Sequence, residues 1–265
     1  MKKSNKLESL AFKVVIPARF ASTRLPGKPL LDIAGKPMVV RVVERAVLSG
    51  AEQVIVATDD ARIADVVMQY GFDVAMTQTN HQSGTDRIAE VAQKMAWADD
   101  VIVVNVQGDE PLIDPKTIQQ VAQKLSGDTA AVMSTACFPI ARGEDFINPN
   151  VVKVVLNAQF QALYFSRAPI PYPRDEMSAG ALKVEYQLNA YRHIGLYAYR
   201  TGFLKKYAAL TPSPIENIEC LEQLRVLYHG YKVVVDVLQA QPPIGVDTQE
   251  DIEKVRKILL SQQLQ

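Results

Sequence analysis

Residues 101–111 read Val-Ile-Val-Val-Asn-Val-Gln-Gly-Asp-Glu-Pro. The first six are nearly all apolar, and a glycine and two acids follow almost at once. A strand with one wet face alternates polar and apolar side chains. A run without a polar face needs cover on both sides, as in the middle of a parallel sheet packed between helices. The neighbouring sequence fits that setting. Residues 12–17, 53–57 and 72–76 read as further strands, and helical patterns at 37–49, 61–70 and 85–95 separate them. In the first of these helices Val39, Val42, Val43, Ala46 and Val47 share a face, and Gly71 closes the second as a C′ residue. A helix at 115–125 follows. The alternation predicts a doubly wound α/β sheet.

After about residue 130 the pattern changes. Strands at 151–156 and 162–165 follow each other without a helix, and 169–173 is a proline-rich turn. Residues 178–187 form a polar, weakly patterned insertion. A strand at 192–199, helices at 202–209 and 218–227, a strand at 232–237 and a helix at 248–260 complete the chain. The expectation is one domain over 1–265. Its nucleotide-binding half covers about 12–130, and a mixed α+β part at 131–265 adds the second substrate.

Bulk properties exclude several classes. The 265 residues carry 29 Lys plus Arg against 29 Asp plus Glu, so broad electrostatic capture of nucleic acid is not expected. Cys137 and Cys220 are too few for a disulfide framework, and both read as buried free thiols. The basic N-terminus has no apolar core behind it, and no run approaches a membrane span. The reading is a cytoplasmic protein without a membrane partner.

An anionic ligand therefore needs a local cationic cluster, and residues 17–29 supply one. The loop is Pro-Ala-Arg-Phe-Ala-Ser-Thr-Arg-Leu-Pro-Gly-Lys-Pro, and it leaves the carboxyl end of the first strand. It is neither a Walker loop nor a Rossmann fingerprint, because the glycines those motifs need are missing. Backbone N–H groups and the hydroxyls of Ser22 and Thr23 can cradle phosphate oxygens, and Arg19 and Arg24 can fork onto them. Pro26 and Gly27 fit the centre of a type II turn that presents Lys28. At the end of the central strand, Asp109 suits a magnesium ligand, with Gly108 leaving room for a ligand. Asp247 is a second candidate, but Asp-Thr-Gln-Glu at 247–250 reads equally as a helix start capped by Asp247 and Glu250. His81 reads as a loop residue and His229 as a helix C-terminal one.

Seven stretches carry a resemblance that spans nearly the whole chain. They are I-P-A-R-F-A-S-T-R-L-P-G-K-P-L at 16–30, H-Q-S-G-T-D-R at 81–87, N-V-Q-G-D-E-P at 105–111, Y-F-S-R-A at 164–168, R-H-I-G-L-Y at 192–197, L-E-Q-L-R at 221–225 and G-V-D-T at 245–248. In that order they resemble the 3-deoxy-manno-octulosonate cytidylyltransferase family. The resemblance implies a glycosyltransferase-A-like nucleotidyltransferase fold with a smaller sugar-binding and dimerisation lobe, and a homodimer. It implies transfer of CMP from CTP to 3-deoxy-manno-octulosonate (Kdo), releasing pyrophosphate, in lipopolysaccharide biosynthesis. It places Arg19 and Lys28 on the triphosphate and Asp109 and Asp247 on Mg2+. Cytosine recognition falls near Ala18, Ser83, Arg87 and Gln107, and the sugar site on Arg167, His193, Tyr197, Glu222 and Gln223. An 8-amino Kdo or a sialic acid as acceptor stays open, and so does a non-catalytic nucleotide or sugar sensor.

Overall fold

The computed structural model describes residues 10–21, 25–81, 83–178, 181–182 and 189–263. The first half alternates strands and helices: β1 (Lys13–Ala18), α1 (Met38–Val47), β2 (Gln53–Thr58), α2 (Ala61–Gln69), β3 (Asp73–Met76), α3 (Gly84–Lys94), β4 (Ile102–Asn105) and α4 (Pro115–Ser126). Then come β5 (Ala131–Pro139), α5 (Gly143–Ile147), β6 (Lys153–Leu156), β7 (Ala162–Ser166), and the two-residue strands β8 (Met177–Ser178) and β9 (Ala181–Leu182). The chain ends with β10 (Tyr191–Arg200), α6 (Thr201–Tyr207), α7 (Pro214–Glu219), α8 (Gln223–Tyr228), β11 (Lys232–Val237) and α9 (Gln249–Gln263).

Among the described residues one mixed sheet runs in the order β11-β5-β10-β4-β1-β2-β3, with β6 and β7 branching from β10. β1 is parallel to β2 and β4, and β2 to β3. β10 enters antiparallel between β4 and β5, so strands from both halves of the chain share the sheet. The sheet is covered on both faces. Val14, Ile16, Val104 and Val106 pack with side chains of α1, α2 and α4. Val15, Val103, Ile55 and Ala57 pack on the other face with α3, α6 and α8. That two-sided cover explains the apolar run at 101–106. A third cluster joins Ile33 and Met38 to Val246, Ile252 and Val255, pinning the start of α9 beside the loop after β1.

The second half departs from the sequence reading in three places. The apolar run at 130–140 is the long strand β5 (Ala131–Pro139), next to the edge strand β11, and its buried Ser134 and Thr135 blur any two-residue alternation. The helix expected at 218–227 is two short helices, broken at Cys220, which holds φ 51°. Cys220 is consequently exposed, whereas Cys137 on β5 is buried and its thiol is pushed up to about 12 by burial. The insertion at 178–187 lies mostly outside the described residues.

Candidate active site

The carboxyl ends of β1 and β4 meet at the site. The loop after β1 folds back through Gly27 N–H to Phe20 O (3.2 Å) and Lys28 N–H to Leu25 O (3.1 Å). Gly27 lies at φ 68°, where a side chain is strained, and a Cβ there would stand 3.2 Å from the Phe20 ring. The Pro26–Gly27 turn therefore closes with its glycine in the left-handed region, as its position demands. It leads into one 3-10 turn, Lys28–Leu30. The Lys28 Nζ sits 2.7 Å from Asp109 Oδ2 and 3.3 Å from Asp247 Oδ1. Two carboxylates remote in sequence thus converge on one cation.

Local backbone bonds place Asp247. The Val246 N–H donates to Asp109 O at 2.9 Å, tying the approach to α9 onto the end of β4. The cap of α9 falls one residue later than the sequence suggested. Thr248 Oγ1 accepts the Asp251 N–H at 3.3 Å, and Asp251 Oδ2 accepts the N–H groups of Thr248 (2.9 Å) and Asp247 (3.1 Å). Glu250 pairs instead with Lys254. With Asp251 serving the cap, the Asp247 carboxylate reaches Lys28. Gly108 also has a different reason from the expected one. A Cβ there would stand 2.9 Å from Pro17 O, so the glycine lets β1 and β4 close on each other. Burial, reinforced by the charges of Asp109 and Asp247, pushes the Glu110 carboxyl up to about 7.

Asp109 and Asp247 fit a magnesium ion by the chemistry of their donors. They are two hard oxygen ligands already gathered around one positive charge. No group of three or more His, Cys, Asp or Glu able to hold a metal occurs among the described residues. Magnesium uses one or two carboxylates and leaves its other positions to phosphates and water.

Three cavities meet at Gln107. One of 210 Å³ is walled by Ala18, Arg19, Lys28, Gly108 and Asp109. A second, of 390 Å³, carries His193, Tyr197, Glu222 and Gln223. A third, of 280 Å³, lies between Glu110, Arg192 and the 241–245 segment. Gly84, at the start of α3, lines both the first and the second. In the 390 Å³ cavity the Tyr197 hydroxyl donates to Gln223 Oε1 at 3.2 Å, and the buried Gln223 Nε2 has no partner. Thr85 Oγ1 donates to Glu222 Oε2 at 3.3 Å and lies 3.4 Å from the Tyr199 hydroxyl. Glu222 as a residue is exposed, but its carboxyl end turns to the cavity and burial raises its pKa. His193 Nε2 lies 2.9 Å from Thr135 Oγ1, and burial holds the imidazole down at about 3, so it is neutral at neutral pH. These groups offer neutral hydrogen bonding suited to a hydroxyl-rich ligand.

Other candidates lie elsewhere. The Arg167 guanidinium does not line the 390 Å³ cavity. It sits behind the wall, donating to the carbonyls of Glu219 (2.7 Å), Pro149 (3.1 Å) and Cys220 (3.5 Å). Arg87 is fully buried and bonds to Asp59 at 3.0 Å and to Thr77, outside the three cavities. Ser83 caps α3 with Asp86, and its carbonyl, with that of His81, accepts from Arg19. Ser22, Thr23 and Arg24 lie outside the described residues. The sequence reading missed Thr85, Glu110 and Arg192 as wall residues, although all three stand inside the motifs quoted above.

A family model described as Cytidylyltransferase matches residues 13–236. A 3-deoxy-manno-octulosonate cytidylyltransferase of Vibrio vulnificus is 56% identical over 250 residues, covering 94% of this chain and 98% of its own. The protein of the same name from Nitrosococcus oceani is 51% identical over 255 residues, covering 96% and 98%. The solved structure of a CMP:2-keto-3-deoxy-manno-octonic acid synthetase complexed with CTP superposes with a TM-score of 0.86 at 42% identity, covering 96% of this chain and all of that one. A cytidylyltransferase of Leptospira borgpetersenii, at 18% identity and a TM-score of 0.62, shares the fold. No helix among the described residues is long and apolar enough to cross a membrane. With relatives this similar over nearly its full length, the chain belongs to the 3-deoxy-manno-octulosonate cytidylyltransferase family.

Proposed function

We propose that this chain transfers CMP from CTP to Kdo, giving CMP-Kdo and pyrophosphate for lipopolysaccharide biosynthesis. The carrying observation is the joining of two unlike cavities at Gln107. One is small and holds Lys28, Asp109 and Arg19, and the other is larger and sets the hydrogen-bonding groups of Tyr197, His193 and Gln223 beside Arg192 and Glu222. The anomeric hydroxyl of the sugar attacks the α-phosphorus in line and pyrophosphate leaves, so positioning and charge stabilisation carry the chemistry. Arg19 and Lys28 hold the triphosphate and stabilise the charge that gathers on the departing pyrophosphate. Asp109 and Asp247 would hold Mg2+, which when bound neutralises phosphate charge and favours ionisation of the sugar hydroxyl. Tyr197, Glu222 and Gln223 orient the sugar.

The working form is read as a cytoplasmic homodimer. Leu163 on β7, Ile218 on α7 and Tyr228 on α8 are exposed apolar side chains on elements that pack together, which supports a partner surface. Pyrophosphate release on mixing the protein with CTP, Kdo and Mg2+ tests the reaction. Binding of both ligands without release would leave a sensor in its place. Running 8-amino Kdo and a sialic acid beside Kdo fixes the acceptor, and sedimentation fixes the dimer.

A further inference from the structure

Among the described residues every arginine but one meets a carboxylate or a main-chain oxygen. Arg87 holds Asp59, Arg225 holds Glu216, and Arg62 holds Asp60. Arg200 donates to the carbonyls of Ala131, Leu125 and Asp128, and Arg167 to those at 149, 219 and 220. Arg19, Arg41, Arg45 and Arg256 likewise end on main-chain oxygens, and Arg142 and Arg174 on neighbouring carboxylates. Arg192 is the exception. Its Nε is buried without a hydrogen-bond partner, and no side-chain hydrogen bond or ion pair holds it among the described residues, whereas Arg87, whose Nε is also unmatched, is anchored through both of its other nitrogens.

An unmatched buried guanidinium nitrogen is costly, because water is withdrawn and nothing replaces it. Its place says what would replace it. Arg192 lines both the 390 Å³ sugar cavity and the 280 Å³ cavity beside it, two residues from the Ile194 bulge in β10. It does not line the cavity of Lys28 and Asp109. Glu110 feels its charge but makes no ion pair with it. Gln107 and His193 line the same two cavities and are neutral partners for a ligand there. A planar fork of donors facing a site for a sugar acid matches a carboxylate.

We propose that Arg192 binds the carboxylate of the acceptor sugar and sets the preference for an acidic acceptor. The inference rests on the reaction proposed above. It adds Arg192 to the sugar site, where the sequence reading had named Arg167, whose guanidinium is taken up by carbonyls.

The test compares Kdo with its methyl ester, in the unaltered chain and in Arg192→Gln and Arg192→Lys. The unaltered chain is expected to favour the acid by about 100-fold in kcat/KM. In Arg192→Gln the KM for Kdo rises about 100-fold, the KM for CTP holds, and the acid-to-ester ratio falls toward one. Arg192→Lys keeps a charge but loses the fork, and its ratio lies between the two. It also carries the test if the glutamine variant does not fold. An unchanged ratio in the folded variants, or a rise confined to the KM for CTP, overturns the role of Arg192. No pyrophosphate from the unaltered chain with Kdo overturns the reaction itself, and carboxylate binding then fails or stands on Kdo affinity measured by calorimetry in the same three proteins.

Discussion

At the nucleotide end, Lys28, Asp109 and Asp247 form a compact group of full charges held by strand ends and tight glycines. At the proposed sugar end, Tyr197, Gln223, Thr85 and His193 are neutral groups on β10, α3 and α8, with Tyr197 bonded to Gln223, Thr85 to Glu222 and His193 to Thr135. In the proposed reaction the first end would reorganise its charge around a polyanion, exchanging its ion pairs for phosphate and metal contacts. The second confines its charge to Arg192 and Glu222. Its groups select by direction, because a hydroxyl that misses a buried amide leaves that amide unpaired. In the reaction proposed above, one fold therefore divides its labour, with clustered charge where bonds change and directional hydrogen bonding around a single guanidinium where the acceptor is chosen.

The largest test of this contrast is Asp109→Asn. Turnover should fall about 1000-fold, because charge stabilisation of the reacting phosphate is lost. Stability should change by about 1 kcal/mol or less, since the pair with Lys28 is partly exposed. Asp247→Asn should follow the same pattern, and normal turnover in either variant would break the charge reading. Arg87→Met asks which side of the division α3 serves. Removing a fully buried guanidinium that holds Asp59 should cost about 3 kcal/mol in urea unfolding, with the KM for CTP unchanged in the folded protein. A raised KM for CTP at full stability would return Arg87 to the cytosine site.

At the sugar end the effects are smaller. Tyr197→Phe deletes the donor to Gln223 and should raise the KM for Kdo about 10-fold without moving that for CTP. The smallest effect is the pH response of His193. Its folded pKa lies near 3 against 6.5 in an unfolded chain, so between these values the unfolded state binds the extra proton. The stability this group contributes is whole above about 6.5 and drains as pH falls toward 3. His193→Gln should flatten the acid limb of a plot of urea midpoint against pH. An unflattened limb would mean a charged imidazole at the sugar end.

The parallel half was legible because its strands are short, β-branched and separated by amphipathic helices, each a local pattern. Residues 130–140 escaped because a strand buried on both faces, with Ser134 and Thr135 satisfied inside, has no period to read. The break at Cys220 escaped because a left-handed cap without glycine leaves no mark. The cap of α9 was misplaced by one residue because Asp247–Glu250 and Thr248–Asp251 satisfy the same spacing rule. In the site, Lys28, Asp109 and Asp247 were each visible as residue types. Their meeting depends on contacts 81 and 219 positions apart, which only the folded chain supplies. Arg87 and Arg192 show the same limit, since motif membership does not say whether an arginine faces an internal carboxylate or an open cavity.

The position of Asp247 has a consequence for how the protein is made. Lys28 and Asp109 leave the ribosome while most of the sheet is still unmade, but the second carboxylate emerges only after β11. Val246 must then dock on the Asp109 carbonyl, and α9 must settle on Ile33 and Met38, before that carboxylate is in place. A nascent chain stalled short of that point has most of its sheet yet lacks the second carboxylate on Lys28. The contact between Lys28 and Asp247 is thus a late one in synthesis, made only after the segment around Val246 has docked.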